Sequence, residues 1–165
     1  MPPLLSSKAL HKQIVGRSLA RVKRHLFIPE YEVSDPSTRD ESSDGPTEFI
    51  TTDGLVFHVL GNTEAMSVEV FPGPCPSFGE TFVERDVTSN AFWSQRVHKR
   101  VVALYALQSL YGPKDSASAF ALEIVFWEGQ SVVIEYISDD EHIDQIRLTG
   151  CYDGPPSNRI SLAQS

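Results

Sequence analysis

Residues 49–60, FITTDGLVFHVL, decide the fold that this sequence predicts. Two runs rich in aromatic, β-branched and aliphatic residues flank the pair Asp53-Gly54. Such a pair between two β-prone runs is typical of a tight hairpin, because its residues accept the positive φ angles that the turn requires. A second turn is expected at Gly61-Asn62, and residues 67–71, SVEVF, alternate like a half-buried strand. This part of the chain therefore predicts an antiparallel β-meander.

The same pattern returns in the second half of the chain. Residues 124–135, IVFWEGQSVVIE, align with residues 49–60 at an offset of 75 positions, and each stretch is an apolar run, an acid–glycine turn and another apolar run. Two shorter matches extend the alignment: 19–22 (LARV) with 101–104 (VVAL), and 67–71 with 144–148 (DQIRL) after an insertion of two residues. We therefore predict an internal duplication of residues 15–73 and 95–150, although β-hairpins also resemble one another by chance. A duplication predicts two related sheets, or one continuous sheet with pseudo-two-fold symmetry.

The predicted fold class is α+β, a single domain over residues 1–165 that is predominantly antiparallel β-sheet from two similar β-meander halves. A short N-terminal helix is expected within residues 6–15, where apolar side chains recur at helical spacing. Residues 30–46 are rich in serine, aspartate, proline and glycine, and this composition predicts an exposed, mobile loop. Residues 153–165 predict a flexible tail.

The net charge is −8, and the acidic residues concentrate in the second half. Residues 115–165 contain nine aspartates and glutamates but only Arg147 and Arg159 as cations, whereas residues 1–30 contain six lysines and arginines and only Glu30 as an acid. Direct nucleic-acid binding needs a basic stripe, so this balance argues against it. The balance favours association with a basic protein partner, or an ordinary acidic surface.

The sequence predicts no membrane segment. No apolar run approaches the roughly 18 residues that cross a bilayer, and the first 16 residues lack the apolar core of a secretory leader. We therefore expect a cytoplasmic protein without membrane contact. Cys75 and Cys151 lie far apart in the sequence and outside any CxxC pair, which favours two free thiols over a single bridge between them.

Catalytic and metal-binding motifs are missing from the sequence. It has no glycine-rich phosphate loop, no HExxH, no GxSxG and no EF-hand pattern, and no histidine pairs with another histidine or a cysteine at metal-ligand spacing. Cys75 lies between two prolines without a local base to activate it, and His58 in mid-strand is expected to be a surface or hydrogen-bonded residue. We therefore expect no enzyme activity, no bound metal and no cofactor.

The strongest candidate for a contact surface is the acidic segment 138–144, SDDEHID, which follows the second hairpin. Its carboxylates predict a charged protein-binding surface; the alternatives are a solvated turn and a metal or acid–base site, although the segment lacks the spacing of a calcium loop. Phe126 and Trp127 point to opposite faces if both lie in a strand, so Trp127 is either a core residue or an exposed interface anchor. The predicted partner-binding residues are Asp139, Asp140, Glu141, Asp144, Glu135 and Trp127.

These features resemble those of small bacterial immunity proteins, the cytosolic antidotes that bind toxins delivered by contact-dependent or type VI secretion systems. The resemblance rests on GRSLARV (16–22), on the stretches TTDGLVFHVL (51–60) and FWEGQSVVIEYISDDEHIDQIRL (126–148), and on the acidic composition. It spans about residues 15–150. It implies a stoichiometric inhibitor whose carboxylates meet a basic toxin site, and imitate phosphates there if the toxin is a nuclease.

Two other functions fit the same sequence. The carboxylates of residues 139–144, together with His142, predict a small metal-dependent enzyme if they converge on one ion. Exposed hairpin edges predict a structural or assembly module that oligomerises, in the simplest case as a homodimer. Light scattering separates the second alternative from a monomeric inhibitor, and metal-dependent activity would identify the first.

Overall fold

The computed structural model describes residues 8–110, 118–138 and 145–162. The first half contains helices α1 (Lys8–Ile14), α2 (Ile28–Val33) and α3 (Arg39–Ser42), and strands β1 (Leu19–Phe27), β2 (Thr47–Thr51), β3 (Val56–Asn62), β4 (Ser67–Pro72) and β5 (Phe82–Asp86). The second half contains helix α4 (Ala91–Ser94) and strands β6 (Val101–Ser109), β7 (Ala121–Phe126), β8 (Ser131–Ile137), β9 (Gln145–Thr149) and β10 (Ser157–Ser161). A short 3-10 turn, Trp127–Gly129, joins β7 to β8.

The described strands form two five-stranded antiparallel sheets of the same topology. The first sheet has the order β4-β3-β2-β1-β5, and the second has the order β9-β8-β7-β6-β10. In each half four consecutive strands form a meander, and the fifth strand returns to the free side of the first. The predicted α+β class, with two similar and mostly antiparallel halves, is confirmed.

Equivalent residues of the two halves occupy equivalent positions in the ladders. The cross-strand pairs correspond as follows: Val22–Phe49 with Leu104–Ile124, and Phe49–Phe57 with Ile124–Val132. Strands β1 and β6 both carry a register irregularity directly after Leu19 and Val101, their first paired residues. The agreement extends from topology to single residues, as an internal duplication predicts.

The predicted alignment of the fourth strands is wrong by one residue. Val59 pairs with Val70 in the first sheet, and Ile134 pairs with Leu148 in the second. Val70 and Leu148 are therefore equivalent, and they lie 78 positions apart, three more than the offset of 75. The second half thus has an insertion of three residues before its fourth strand, and not two. The reason is the two-residue period of a strand: a slip of one residue would turn the apolar side chains of β9 away from the core.

The turns of the first meander are only partly where the sequence places them. The hairpin of β2 and β3 turns at Asp53-Gly54, and Gly54 has a φ angle of +93°. Gly129, its counterpart in the second hairpin, has a φ angle of +87°, so glycine serves the same purpose in both turns. The second turn comes later than predicted, because Gly61-Asn62 still pair within β3 and residues 63–66 make the connection.

A pseudo-two-fold axis relates the halves beside Ser18 and Arg100. These equivalent residues form an antiparallel bridge with each other. The neighbouring backbone hydrogen bonds are duplicated: His98 N to Leu19 O (2.7 Å) with Gly16 N to Val101 O (2.8 Å), and Thr52 N to Ser18 O (2.9 Å) with Trp127 N to Arg100 O (2.8 Å). Positive φ angles occur at Gly16 (+95°), after α1, and at His98 (+65°), after α4. The predicted N-terminal helix thus has a shorter counterpart in α4.

Both sheets contribute to one hydrophobic core. Its fully buried members include Phe49, Phe57, Val59, Ile124, Phe126, Val132 and Ile134. Helices α1 and α4 add Ile14 and Trp93, and the Trp93 ring meets the Phe49 ring edge-on at a centroid distance of 5.8 Å. Within the described residues, no helix has the length and apolar character needed to cross a membrane.

Residues 30–46 are only in part the irregular exposed loop that their composition predicts: residues 35–38 are exposed and lie outside the helices, but the rest is more structured. They include part of α2 and all of α3, and Arg24 of β1, which is fully buried, binds them. Its guanidinium donates to five backbone carbonyls: Asp40 (2.6 Å), Glu41 (3.1 Å), Ser43 (3.0 Å), Gly45 (2.7 Å) and Ile146 (3.2 Å). Gly45 N also donates to Ile146 O of β9. The segment is therefore ordered by a cation from another strand and covers the outer edge of the second sheet.

Part of the predicted flexible tail, residues 157–161, forms a strand, and residues 163–165 lie outside the described residues. Ser157–Ser161 form β10, which pairs antiparallel with β6. This strand lies at the edge of its sheet, where a polar sequence such as SNRIS is suited because one side faces solvent. The same polarity removes the apolar alternation by which strands are recognised in sequence.

Candidate protein-binding site

The structure separates the predicted partner-binding residues into two groups. Trp127 lies in the turn that joins β7 to β8, whereas Glu135 lies four residues beyond Ser131, the first residue of β8, a rise of about 13 Å. Residues 139–144 follow the far end of β8, so the chain connects them to the Glu135 end and not to Trp127. Asp139, Asp140, Glu141 and Asp144 lie outside the described residues. Glu135 and Trp127 are therefore considered as separate sites.

Glu135 borders a shallow pocket on the outer face of the second sheet. We call it the Glu135 pocket; it has a volume of about 240 Å³. Its lining residues are Ser109, Phe120, Glu135, Tyr152, Pro155 and Pro156. A small apolar cluster of Leu107, Ala121 and Val133 lies beneath it, against which Phe120 and Tyr152 pack. The pocket thus combines a carboxylate with aromatic and proline walls.

Tyr152 is held in place by the connection between β9 and β10. Its hydroxyl donates a hydrogen bond of 2.6 Å to the carbonyl of Pro155, and its ring lies 5.4 Å from the Phe120 ring. Gly154 allows the chain to pass this close, because a Cβ atom there would lie 2.6 Å from the Tyr152 hydroxyl oxygen. The Tyr152 ring is therefore held in place by contacts within the chain.

The Glu135 carboxylate is half-buried and is not neutralised by any described residue. Arg147 faces it directly across the β8–β9 ladder, but the Arg147 guanidinium instead pairs with Glu30 at 3.0 Å. Burial raises the pKa of Glu135, and the charge of Asp153 raises it further. Burial, Glu135 and Asp153 likewise raise the pKa of Tyr152. The pocket is therefore a region of uncompensated negative potential.

A neighbouring cluster on the same face contains the cation that the Glu135 pocket lacks. Arg159 donates to Glu123 at 2.7 Å, and its guanidinium carbon lies 3.6 Å from the centroid of the Tyr105 ring. A guanidinium is stabilised in this way by a carboxylate and by the negative face of an aromatic ring. The Glu135 pocket presents the same two kinds of group to a cation from outside the chain.

Trp127 is an exposed residue rather than a core residue. Trp127 is 57% exposed, while Phe126 beside it is fully buried. Phe126 is the last residue of β7 and Trp127 begins the 3-10 turn, so the condition that both lie in a strand is not met. The Arg100 guanidinium lies over the indole at 5.3 Å, and Lys99 pairs with Glu128 at 3.2 Å. This surface is mixed in charge, unlike the acidic Glu135 pocket, so it supplies an aromatic anchor but no uncompensated carboxylate.

The other candidate groups show no catalytic arrangement. The described residues include no group of three or more histidines, cysteines, aspartates or glutamates that could hold a metal ion. Cys75 and Cys151 are both free, as predicted. Burial and the charges of Glu48 and Glu84 raise the pKa of Cys75 to about 12, so it is a protonated thiol and not an activated nucleophile. His58 is buried, and its Nδ1 lies 2.8 Å from Gly73 O.

The sequence did not indicate Phe120 and Tyr152 as site residues. Tyr152 lies in a Gly- and Pro-rich connection, and Phe120 precedes β7, so neither belongs to a recognisable motif. They meet Glu135 only because β8 lies beside β7 and the connection between β9 and β10 crosses the outer face.

No protein-family model, curated protein or solved structure matches this chain.

Proposed function

We propose that this chain is a non-catalytic binding protein that accepts a basic protein partner at the Glu135 pocket, as a cytoplasmic immunity protein accepts a toxin domain. The observation that carries the proposal is the uncompensated, half-buried carboxylate of Glu135, which lines a pocket together with the Phe120 and Tyr152 rings. A cation from the partner would neutralise it and bury the aromatic surface at the same time. The resemblance in sequence to immunity proteins supports a toxin as the partner.

The charge distribution around the pocket supports the proposal. Asp153 has no hydrogen bond or ion pair with any described residue and adds to the negative potential at Glu135. The sequence continues from β8 into Asp139, Asp140 and Glu141, which extends the acidic character along the chain. A surface of this sign accelerates association with a basic partner and makes that association sensitive to salt.

The test is binding to the candidate toxin, the protein encoded by the gene that neighbours the gene of this chain. We expect a stoichiometric complex between the two purified proteins and protection of cells that express the toxin. Glu135→Gln should raise the dissociation constant at least tenfold, because a partner cation would lose its buried counter-charge. Glu64→Gln is the matched control: Glu64 is exposed in the 63–66 turn of the first half, and its variant loses the same charge.

Acidification should weaken the same complex. Because burial raises the pKa of Glu135, its carboxylate takes up a proton at a higher pH than an ordinary glutamate does. The affinity of the wild-type protein should therefore fall as the pH decreases, and the affinity of Glu135→Gln should change less over that range. Absence of a complex, or equal affinities of wild type and Glu135→Gln, would contradict the proposed function.

A further inference from the structure

We infer that the group received by the Glu135 pocket is an arginine side chain of the partner, rather than a lysine side chain. The inference rests on the proposed function, which supplies the premise that the partner is a protein. It concerns which cation the pocket selects, and three features of the described residues carry it: the neighbouring arginine cluster, the shape of the pocket and its partial burial.

The first feature is the cluster of Tyr105, Glu123 and Arg159 on the same face of the second sheet. Arg159 both stacks on the tyrosine ring, at 3.6 Å, and donates to the carboxylate, at 2.7 Å. Glu123 and Glu135 lie on adjacent strands, and both side chains point outward from the sheet. The chain therefore shows, beside the pocket, how a guanidinium occupies a site made of one carboxylate and one aromatic ring.

The second feature is the shape of the pocket. The Phe120 and Tyr152 rings, the two prolines 155 and 156 and the Glu135 side chain all line the same space. A planar guanidinium stacks on such a ring and still directs N–H groups in its own plane at the carboxylate. A lysine ammonium is compact and has no face with which to stack, so it would use the carboxylate but little of the walls.

The third feature is the partial burial that raises the pKa of Glu135. A cation that enters the pocket loses part of its own hydration. A guanidinium is more weakly hydrated than an ammonium, so this loss is smaller for arginine. Arg147 does not fill the site from within the chain, because its guanidinium pairs with Glu30 and also contacts Gln145.

The probes that test this inference are acetyl-arginine amide and acetyl-lysine amide, titrated into the full chain at equal ionic strength and followed by amide NMR. We expect saturable shifts at Phe120, Glu135 and Tyr152 with the arginine probe, and at least threefold weaker binding of the lysine probe. Single side chains bind in the millimolar range or weaker, so the titration should extend to about 100 mM.

Variants distinguish recognition of a guanidinium from a general effect of charge. Glu135→Gln should abolish the site-specific shifts, and Glu64→Gln should preserve them. Tyr152→Phe keeps the ring and should keep the preference for arginine, whereas Tyr152→Leu should reduce the arginine affinity to that of lysine. Folding of each variant is checked by its amide spectrum outside the pocket.

Equal binding of the two probes, or no shifts at the pocket up to the highest concentration, would overturn the inference. Its failure is distinguishable from failure of the proposed function. If Glu135→Gln still weakens the protein complex while the probes bind equally, the partner function holds and the arginine preference is wrong. If the arginine preference holds but the protein complex is indifferent to Glu135→Gln, the proposed function is wrong.

Discussion

At the scale of single residues, Glu135 and His11 are held in environments that oppose their charged forms. Glu135 is half-buried beside Asp153, and burial and that charge raise its pKa. His11 of α1 is fully buried, and burial lowers its pKa to about 4, although a contact with the Leu162 backbone opposes the shift. Each residue therefore makes the stability of the free protein depend on pH, in a direction that its pKa defines.

Glu135→Gln should stabilise the free protein at pH 7. An acid whose pKa is raised on folding destabilises the fold above its unfolded pKa, and this penalty disappears when both states are protonated. The melting temperature of Glu135→Gln should therefore exceed that of Glu64→Gln at pH 7, and the difference should shrink at pH 4. Thermal unfolding followed by circular dichroism measures it. A lower melting temperature for Glu135→Gln at pH 7 would contradict the description of Glu135 as an uncompensated carboxylate.

Acid should destabilise the fold through His11. Between its unfolded pKa of 6.5 and its folded pKa of about 4, the unfolded chain binds more protons, so stability falls as the pH decreases through that window. The expected loss between pH 7 and pH 5 is about 2 kcal/mol. His11→Leu should remove most of this loss in denaturant titrations, with a remainder from His25, whose pKa burial also lowers. His98→Asn, at an exposed site, should leave the loss unchanged.

At the scale of elements, the segment from α2 to β2 is held by contacts across the fold rather than by its own sequence. Arg24 of β1 donates hydrogen bonds to carbonyls of two separate segments, residues 40–45 and Ile146 of β9. Ile146 N also donates to the Asp44 carboxylate at 2.7 Å. These contacts join the segment between α2 and β2 to β9, the edge strand of the second sheet. The buried guanidinium of Arg24 makes the largest number of these contacts.

Arg24→Met should detach this segment from β9. The variant removes the guanidinium that donates to five carbonyls, three of them in buried hydrogen bonds, and the expected loss of stability is about 3 kcal/mol or more. Hydrogen exchange at Gly45 and Ile146 should become faster. Arg21→Met on the same strand is the control: Arg21 forms an exposed ion pair with Asp86, so its loss should cost less than about 1 kcal/mol. Equal costs for the two variants would show that Arg24 does not organise the segment.

At the scale of the whole molecule, the two halves share one core and differ in their outer faces. The axis beside Ser18 and Arg100 brings the inner faces together. On the outer face, the position of Glu135 corresponds at the offset of 75 to Leu60 in the first half. The first half therefore has no glutamate at the position equivalent to Glu135.

The shared core should make the chain unfold in a single step. Phe49 and Ile124 are equivalent, fully buried residues in the two sheets. Truncation of either to alanine should cost about 3–5 and 2–5 kcal/mol respectively. Both variants should shift one common urea transition, detected alike by tryptophan fluorescence and by circular dichroism. Two separate transitions, of which each variant shifts only one, would show that the halves fold independently.

The sequence determined the repeated meanders, because their information is local. The acid–glycine turns and alternating runs at 49–60 and 124–135 predict both hairpins, and Gly54 and Gly129 take the same backbone conformation. The sequence left open whether Trp127 is a core or an exposed residue, and the structure shows it exposed. Periodicity and turn chemistry act over a few residues, so a single sequence carries them.

Only the tertiary structure decided the rest, because it depends on contacts between distant residues. The position of residues 40–45 depends on contacts with Arg24 and Ile146, and the polar strand β10 forms by pairing with β6. The aromatic walls reach Glu135 from Phe120 and Tyr152 only when the sheet is assembled. Arg147 pairs with Glu30, so the Glu135 carboxylate has no cation from the described residues beside it. The local sequence does not show with which acidic residue an arginine forms an ion pair.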